Sequence, residues 1–320
     1  MCLHYDDPEP ANAATLSGAH GYQVKPRSEL RTPWFPDAAL IRLCPDLLAV
    51  CSTGAGFDYI DVAACTAAGV IVCNQAGANV EAVAEHTLAF MLALSKRIGL
   101  VDKLVRRPAP VDRFALLGND IRGKTLGLIG IGAIGRRVAA LCTGLFGMTV
   151  LAYDPYLSEA EIAVRGARQA SLSEVLRASD FVSVHCPRTD ETMNMLDAEA
   201  FAAMRASAYF ITTARGGIHN EAALVAALRD CRIAGAGVDV FLEEPPPHDH
   251  PLLQFDTVIA TPHMAAVTAE ALEAMAMAAA DQWLAIFAGQ APPCLVNPAA
   301  WPAYANRFQA AFGREPDRPG

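Results

Sequence analysis

The stretch Leu126-Gly127-Leu128-Ile129-Gly130-Ile131-Gly132-Ala133-Ile134-Gly135-Arg136-Arg137-Val138 decides the fold. A glycine pattern of the form G-x-G-x-x-G is weak by itself in a chain with 23 glycines. Its setting makes it specific, because a buried-strand run precedes it and a helix-forming run follows. The chemistry needs that order. Gly130 permits the tight turn, Gly132 lets a diphosphate approach the backbone, and Gly135 lets the helix pack on the strand. The helix start then offers unpaired N–H groups and the positive end of its dipole to an anion. A second strand, residues 149–153, ends in Asp154, nineteen residues after Gly135. A carboxylate there accepts hydrogen bonds from ribose hydroxyls and repels a 2′-phosphate. Pro155 and Tyr156 follow it, so no arginine comes next. The two signals together predict NAD in preference to NADP.

Outward from that unit, short β-branched runs alternate with longer Ala/Leu-rich stretches. Residues 47–50, 70–72, 126–129, 149–153, 181–184, 209–212, 236–238 and 258–260 read as buried strands. Residues 80–95, 135–145, 172–178, 197–204, 221–230 and 268–288 carry helical spacing. Strands alternating with helices predict βαβ units and parallel sheets with right-handed crossovers. The expected fold is α/β, with two Rossmann-like domains, doubly wound parallel sheets and a cleft between them. The pattern turns irregular and charged over 102–123, which places a domain boundary after the helix ending near Arg97. Residues 1–98 plus 289–320 are expected to form a discontinuous substrate domain, and residues 99–288 the NAD-binding domain.

Composition removes several function classes. The 320 residues are 53% hydrophobic and 18% charged, enough to build a large core. A formal net charge of −9 argues against a nucleic-acid partner, which needs a basic face. Nine cysteines, an odd number with no C-x-x-C spacing, suit free buried thiols better than disulfides or a zinc site. No metal is expected. The start, Met1 to Asp7, lacks the basic and apolar regions of a signal peptide. The apolar stretch 271–289 is interrupted by Glu273, Asp281 and Gln282, so no membrane span is expected. A cytoplasmic protein is the expectation.

Five separated motifs resemble the D-isomer-specific 2-hydroxyacid dehydrogenase family. They are Gly54-Ala55-Gly56-Phe57-Asp58, Val83-Ala84-Glu85-His86-Thr87, the glycine loop, Thr213-Ala214-Arg215-Gly216-Gly217, and Asp239-Val240-Phe241-Leu242-Glu243-Glu244-Pro245 with Thr261-Pro262-His263. The resemblance runs from about residue 47 to 298. It implies hydride transfer between a nicotinamide and a small 2-oxo or D-2-hydroxy acid, such as glyoxylate, hydroxypyruvate or phosphoglycerate. It also implies a homodimer formed through the NAD domains. Formate oxidation is a rival within the family, but there a glutamine pairs with the histidine, and Glu244 stands against it. The alternative from another class is an NAD(H)-binding scaffold like the family's corepressors, without turnover.

The residues themselves carry the chemistry. Arg215 follows a strand at the sheet's carboxyl edge, and its planar fork suits the carboxylate and carbonyl oxygens of a 2-oxo acid. His263 follows another strand and is the natural proton donor near neutral pH. By resemblance Glu244, directly before Pro245, pairs with His263 and favours the imidazolium. Arg215, Glu244 and His263 are the expected catalytic set. The resemblance assigns Asp239 to the nicotinamide carboxamide and Ala55 and Gly56 to the substrate carboxylate, through backbone N–H groups. Cys186 and Pro187 would border the adenosine and Thr192 would reach a phosphate. Ala133, Ile134, Thr213 and Ala214 would complete the cofactor wall, with Arg215 and His263. Asn79 reads equally as a substrate contact or a helix cap. His86 reads as structural or interfacial, and nothing nearby activates Cys186 as a nucleophile. The chain departs from the family at a short segment before Gly54, at Val111-Asp112 in place of a tryptophan, and at the bulky Met264 after His263.

Overall fold

The computed structural model describes residues 9–108 and 110–318. Met1 to Asp7, on which the signal-peptide reading rests, lie outside the described residues. Two compact units divide the chain: residues 1–79 with 269–320, and residues 80–268.

The smaller unit opens with helix α1 (Glu9–Ser17), then runs β1 (Gly21–Val24), α2 (Ala38–Leu43), β2 (Ala49–Ser52), α3 (Val62–Ala67) and β3 (Ile71–Cys73). The three strands form one parallel sheet in the order β1-β2-β3. Asp37 and Asp61 cap α2 and α3 by accepting from backbone N–H groups of the first turn.

The larger unit contains α4 (Val80–Ser95), α5 (Ile98–Val105), β4 (Thr125–Ile129), α6 (Ala133–Phe146), β5 (Thr149–Tyr153), α7 (Glu159–Val164) and β6 (Arg168–Gln169). It continues through α8 (Leu172–Ala178), β7 (Phe181–Val184), α9 (Ala198–Ala203), β8 (Tyr209–Thr212), α10 (Glu221–Arg229), β9 (Gly235–Val238) and β10 (Val258–Ala260). Its seven strands are parallel, in the order β10-β9-β8-β7-β4-β5-β6. The inner strands are buried on both faces, which is why they read as continuous apolar runs and not as alternation. Winding reverses at β4, whose neighbours are β5 on one side and β7 on the other. The carboxyl ends there form the switch point at which such sheets take ligands.

The chain then returns to the smaller unit with α11 (Ala269–Ala288) and α12 (Trp301–Phe312). Asn297 ties the tail to β3: its Oδ1 accepts from Val72 N at 2.7 Å and its Nδ2 donates to Val70 O at 3.1 Å. By length and composition α11 is apolar enough to cross a membrane; in this unit Ile286 packs with Tyr304 and Phe308 of α12.

The compact units part at other positions than the sequence suggests. Helix α4 was expected with the substrate domain and belongs to the larger unit. Gly237 on β9 explains this, because a Cβ there would lie 2.7 Å from the Phe90 ring, so the ring lies directly on the strand. Helix α11 was expected with the NAD domain and belongs to the smaller unit. There the Trp283 ring fills the place of a side chain at Gly21, 2.5 Å from where a Cβ would be.

Candidate functional site

The glycine loop follows β4 at the switch point. Gly130 has φ +87°, and a Cβ on it would stand 2.7 Å from Cys186 N. A Cβ on Gly135 would stand 2.5 Å from Gly130 O, so α6 rests against the turn. Gly132 differs, since nothing lies within 4 Å of a Cβ placed on it. The protein closes over the first and third glycines and leaves the second open. Gly132 is also the N-cap of α6 and supplies no side-chain hydrogen bond to the helix N–H groups. An open backbone face joined to uncapped N–H donors fits a dinucleotide diphosphate. Ala133 and Ile134 form the first turn of that helix.

Asp154 ends β5 with its carboxylate already oriented. Oδ2 accepts from Ile131 N at 3.1 Å and Oδ1 from Tyr156 N at 3.2 Å. Sequence reading saw no cation here, but α7 brings one back. Arg165, just past its end, donates from Nη1 to Ile131 O at 2.9 Å. Only the through-space approach of α7 to the loop reveals it.

Across the switch point, Cys186 and Pro187 follow β7. Burial pushes the Cys186 thiol up to about 11, which keeps it a thiol near neutral pH. Thr192 does not present a free hydroxyl. Its Oγ1 accepts from Thr189 N at 2.8 Å and donates to Pro187 O at 2.8 Å, which closes its own loop.

Three strand ends bring the proposed catalytic set together within the larger unit. Thr213, Ala214 and Arg215 follow β8; Thr213 is buried with its hydroxyl 3.3 Å from that of Thr87. Arg215 Nη1 donates to Ala214 O at 2.7 Å. The next residue, Gly216, lies against the chain after β9, where a Cβ would fall 1.9 Å from Phe241 O. On that same segment Glu244 Oε1 accepts from Phe241 N at 3.1 Å, while its Oε2 lies 2.8 Å from His263 Nδ1. With Nδ1 committed to Glu244, Nε2 is the ring nitrogen left to meet a substrate. Burial pushes the Glu244 carboxyl up, but the hydrogen bond and charge of His263, the Phe241 N–H and the Arg215 charge outweigh it. The net position is below the ordinary carboxylate value, so the group is an anion at neutral pH.

His263 itself has φ +56°, a left-handed conformation that a non-glycine residue holds only when its surroundings impose it. Asp239 imposes it. Its carbonyl accepts from His263 N at 2.8 Å, and its carboxylate accepts from Met264 N at 2.7 Å and Ala265 N at 2.9 Å. Thr261 Oγ1 donates to the same carboxylate at 2.6 Å. The side chain is fully buried and anchors the 261–265 turn; the nicotinamide carboxamide is the contact that the resemblance assigns to Asp239.

In the smaller unit, Gly54 has φ +82° and its N–H donates to Gln75 Oε1 at 2.8 Å. Asn74 Nδ2 donates to Ala55 O at 2.9 Å. Both bonds hold the turn that carries the Ala55 and Gly56 N–H groups. Asn79 is buried, and its Oδ1 accepts no hydrogen bond among the described residues, which speaks against the helix-cap reading. No cluster of three or more His, Cys, Asp or Glu among the described residues is placed to hold a metal ion.

Comparison with known proteins decides the family. The domain description "D-isomer specific 2-hydroxyacid dehydrogenase, NAD binding domain" matches residues 88–265. A glyoxylate reductase of Thermofilum pendens is 38% identical over 265 residues, covering 82% of this chain and 78% of that one. The chain belongs to the D-isomer specific 2-hydroxyacid dehydrogenase family. A D-3-phosphoglycerate dehydrogenase of Mycobacterium leprae is 40% identical over 261 residues, covering 82% of this chain. The match takes in 49% of that longer relative. Among solved structures, a D-lactate dehydrogenase from Aquifex aeolicus complexed with NAD and lactic acid superposes with a TM-score of 0.78 at 31% identity. That match covers 89% of this chain and 88% of that one. As a member of this family the chain is an NAD-dependent 2-hydroxyacid oxidoreductase with parallel α/β architecture.

Proposed function

We propose that this dehydrogenase interconverts a small 2-oxo acid and its D-2-hydroxy acid, with glyoxylate and hydroxypyruvate as the first candidates. The observation that carries the reading is the 2.8 Å bond between Glu244 and His263 Nδ1. It turns Nε2 into the nitrogen that gives or takes the proton of the substrate oxygen. When bound, the nicotinamide supplies or accepts the hydride. His263 protonates the carbonyl oxygen in reduction and removes the hydroxyl proton in oxidation. Glu244 stabilises the imidazolium, and Arg215 orients the 2-oxo acid and polarises its carbonyl. Ala55 and Gly56 offer backbone N–H groups to the substrate carboxylate, and Asn79 offers its carboxamide. Gly132 with Ala133 and Ile134 holds the diphosphate on a turn shaped by Gly130 and Gly135, Asp154 holds the adenosine ribose, and Cys186, Pro187, Thr213 and Ala214 form the remaining wall.

The enzyme is further proposed to pair with a second copy through the NAD domains. Helix α5 buries none of its side chains, and Phe114 and Leu117 beyond it are exposed apolar residues. The free buried thiols, Cys51 and Cys73 among them, suit a reducing cytoplasm.

A panel of 2-oxo acids assayed with NADH and with NADPH tests the function. Turnover with NADH is expected, and kcat/KM with NADPH is expected to be roughly tenfold or more lower, from the repulsion at Asp154. Asp154→Asn should narrow that gap, with Arg165 close by to meet the added phosphate. NADH binding without turnover of any panel member would favour the scaffold reading. A higher kcat/KM with NADPH in the wild type would overturn the role of Asp154.

A further inference from the structure

A second hydrogen-bonded chain lies behind the catalytic histidine, and it involves side chains to which the reaction itself assigns no part. Thr261 Oγ1 donates to Asp239 Oδ1 at 2.6 Å. Its single proton is thereby used, so at the 3.1 Å contact with His86 Nε2 the hydroxyl oxygen accepts and the imidazole donates. His86 sits on α4, with its ring edge-on to Phe90 at 4.6 Å between centroids. The fully buried Asp239 carboxylate then collects three donors, Thr261 Oγ1, Met264 N and Ala265 N. Those donors come from both sides of His263 in the chain. A left-handed histidine at φ +56° would relax if its turn were released. Its ring would then move relative to the substrate oxygen, although its bond to Glu244 could persist.

We infer that Thr261 and His86 are positioning residues, which lock Asp239 onto the 261–265 turn and so fix where His263 presents its outer nitrogen. The inference rests on His263 being the proton donor. Neither residue touches substrate in this account. Both act through Asp239 and the turn, and a displacement of about 1 Å at a reacting group costs on the order of 100-fold in rate.

The test compares Thr261→Val, Thr261→Ser, His86→Phe, the Thr261→Val/His86→Phe pair and His263→Ala, all as full-length enzyme with NADH and the best 2-oxo acid of the panel. Thr261→Val keeps the side-chain shape and removes the hydroxyl, and Thr261→Ser restores the hydroxyl. Thr261→Val should lose about 100-fold in kcat, with the NADH Kd, read by fluorescence, within about twofold of wild type. Thr261→Ser should recover most of that rate. His86→Phe should lose roughly tenfold, and the pair should be no slower than Thr261→Val, because both substitutions break one chain. Equal rates for Thr261→Val and Thr261→Ser, or losses that multiply in the pair, would overturn the inference. So would a Thr261→Val defect confined to NADH binding. A variant whose NADH Kd is lost together with its thermal transition is misfolded, and Thr261→Ser against wild type then decides: a serine enzyme as slow as His263→Ala refutes the inference. A near-normal His263→Ala would refute the proton-donor reading itself, a separate outcome.

Discussion

Replacing His263 with alanine is expected to lower kcat for 2-oxo acid reduction by roughly 10²–10⁴-fold, while NADH affinity stays within about twofold. The expectation comes from the geometry of the pair. Nδ1 is held at 2.8 Å by Glu244, so a single ring nitrogen remains for the substrate, and alanine removes both. The left-handed backbone at position 263 accepts alanine with some strain, but Asp239 holds the turn through its flanking N–H groups. The loss should therefore be chemical and not a collapse of the site. Glu244 sets the pH behaviour of the pair. Its carboxyl lies below the ordinary carboxylate value, so its contribution is fully present above that value. It is lost as the pH falls through the lowered one. Steady-state kinetics and NADH fluorescence titration of His263→Ala separate the chemical effect from binding.

The second large effect is expected at Gly216. A Cβ there would fall 1.9 Å from Phe241 O, 2.1 Å from Phe241 C and 2.6 Å from Leu242 N. All three are backbone atoms of the segment that positions Glu244, so no side-chain rotation relieves the clash. Gly216→Ala must push apart the Arg215 and Glu244 segments. The expected cost is about 4 kcal/mol or more. In a unit of this size that lowers the thermal midpoint by roughly 10 °C. Activity should fall with it, because Arg215 and Glu244, the partner of His263, ride on the separated segments. Gly144→Ala is the control. It lies within α6 with nothing within 4 Å of the added Cβ, and should gain about 0.5–1 kcal/mol from helix propensity. Thermal melts of the two variants beside wild type check both.

Much of this is legible in the sequence, and the parts that are not have physical causes. The central strands announced themselves because burial on both faces leaves unbroken apolar runs, as at β7 and β8. The β1 and β6 strands did not. Gly21–Val24 alternates in burial over four residues, and Arg168–Gln169 is an exposed two-residue edge strand with no apolar signal. Helix α4 was legible as a helix, but its unit was not, since its contact with β9 depends on a missing side chain at Gly237, far along the chain. The proposed catalytic residues, Arg215, Glu244 and His263, sit in recognisable motifs after strands β8, β9 and β10. What escaped were roles set through space: Asp239 as an anchor, Arg165 beside the glycine loop, and His86, which meets Thr261 across 175 positions. The resemblance assigns Thr192 to the cofactor edge, yet its hydroxyl closes a local turn that spacing does not reveal.

A ternary crystal structure with NAD⁺ and oxamate, a stable 2-oxo acid analogue, tests the central claim most directly. The predicted result puts the analogue's keto-type oxygen about 2.6–3.2 Å from His263 Nε2, with the Arg215 guanidinium against the same oxygen and the carboxylate. An analogue bound beside the nicotinamide with its oxygen out of reach of both side chains, or a histidine turned so that Nε2 meets Glu244, would contradict it.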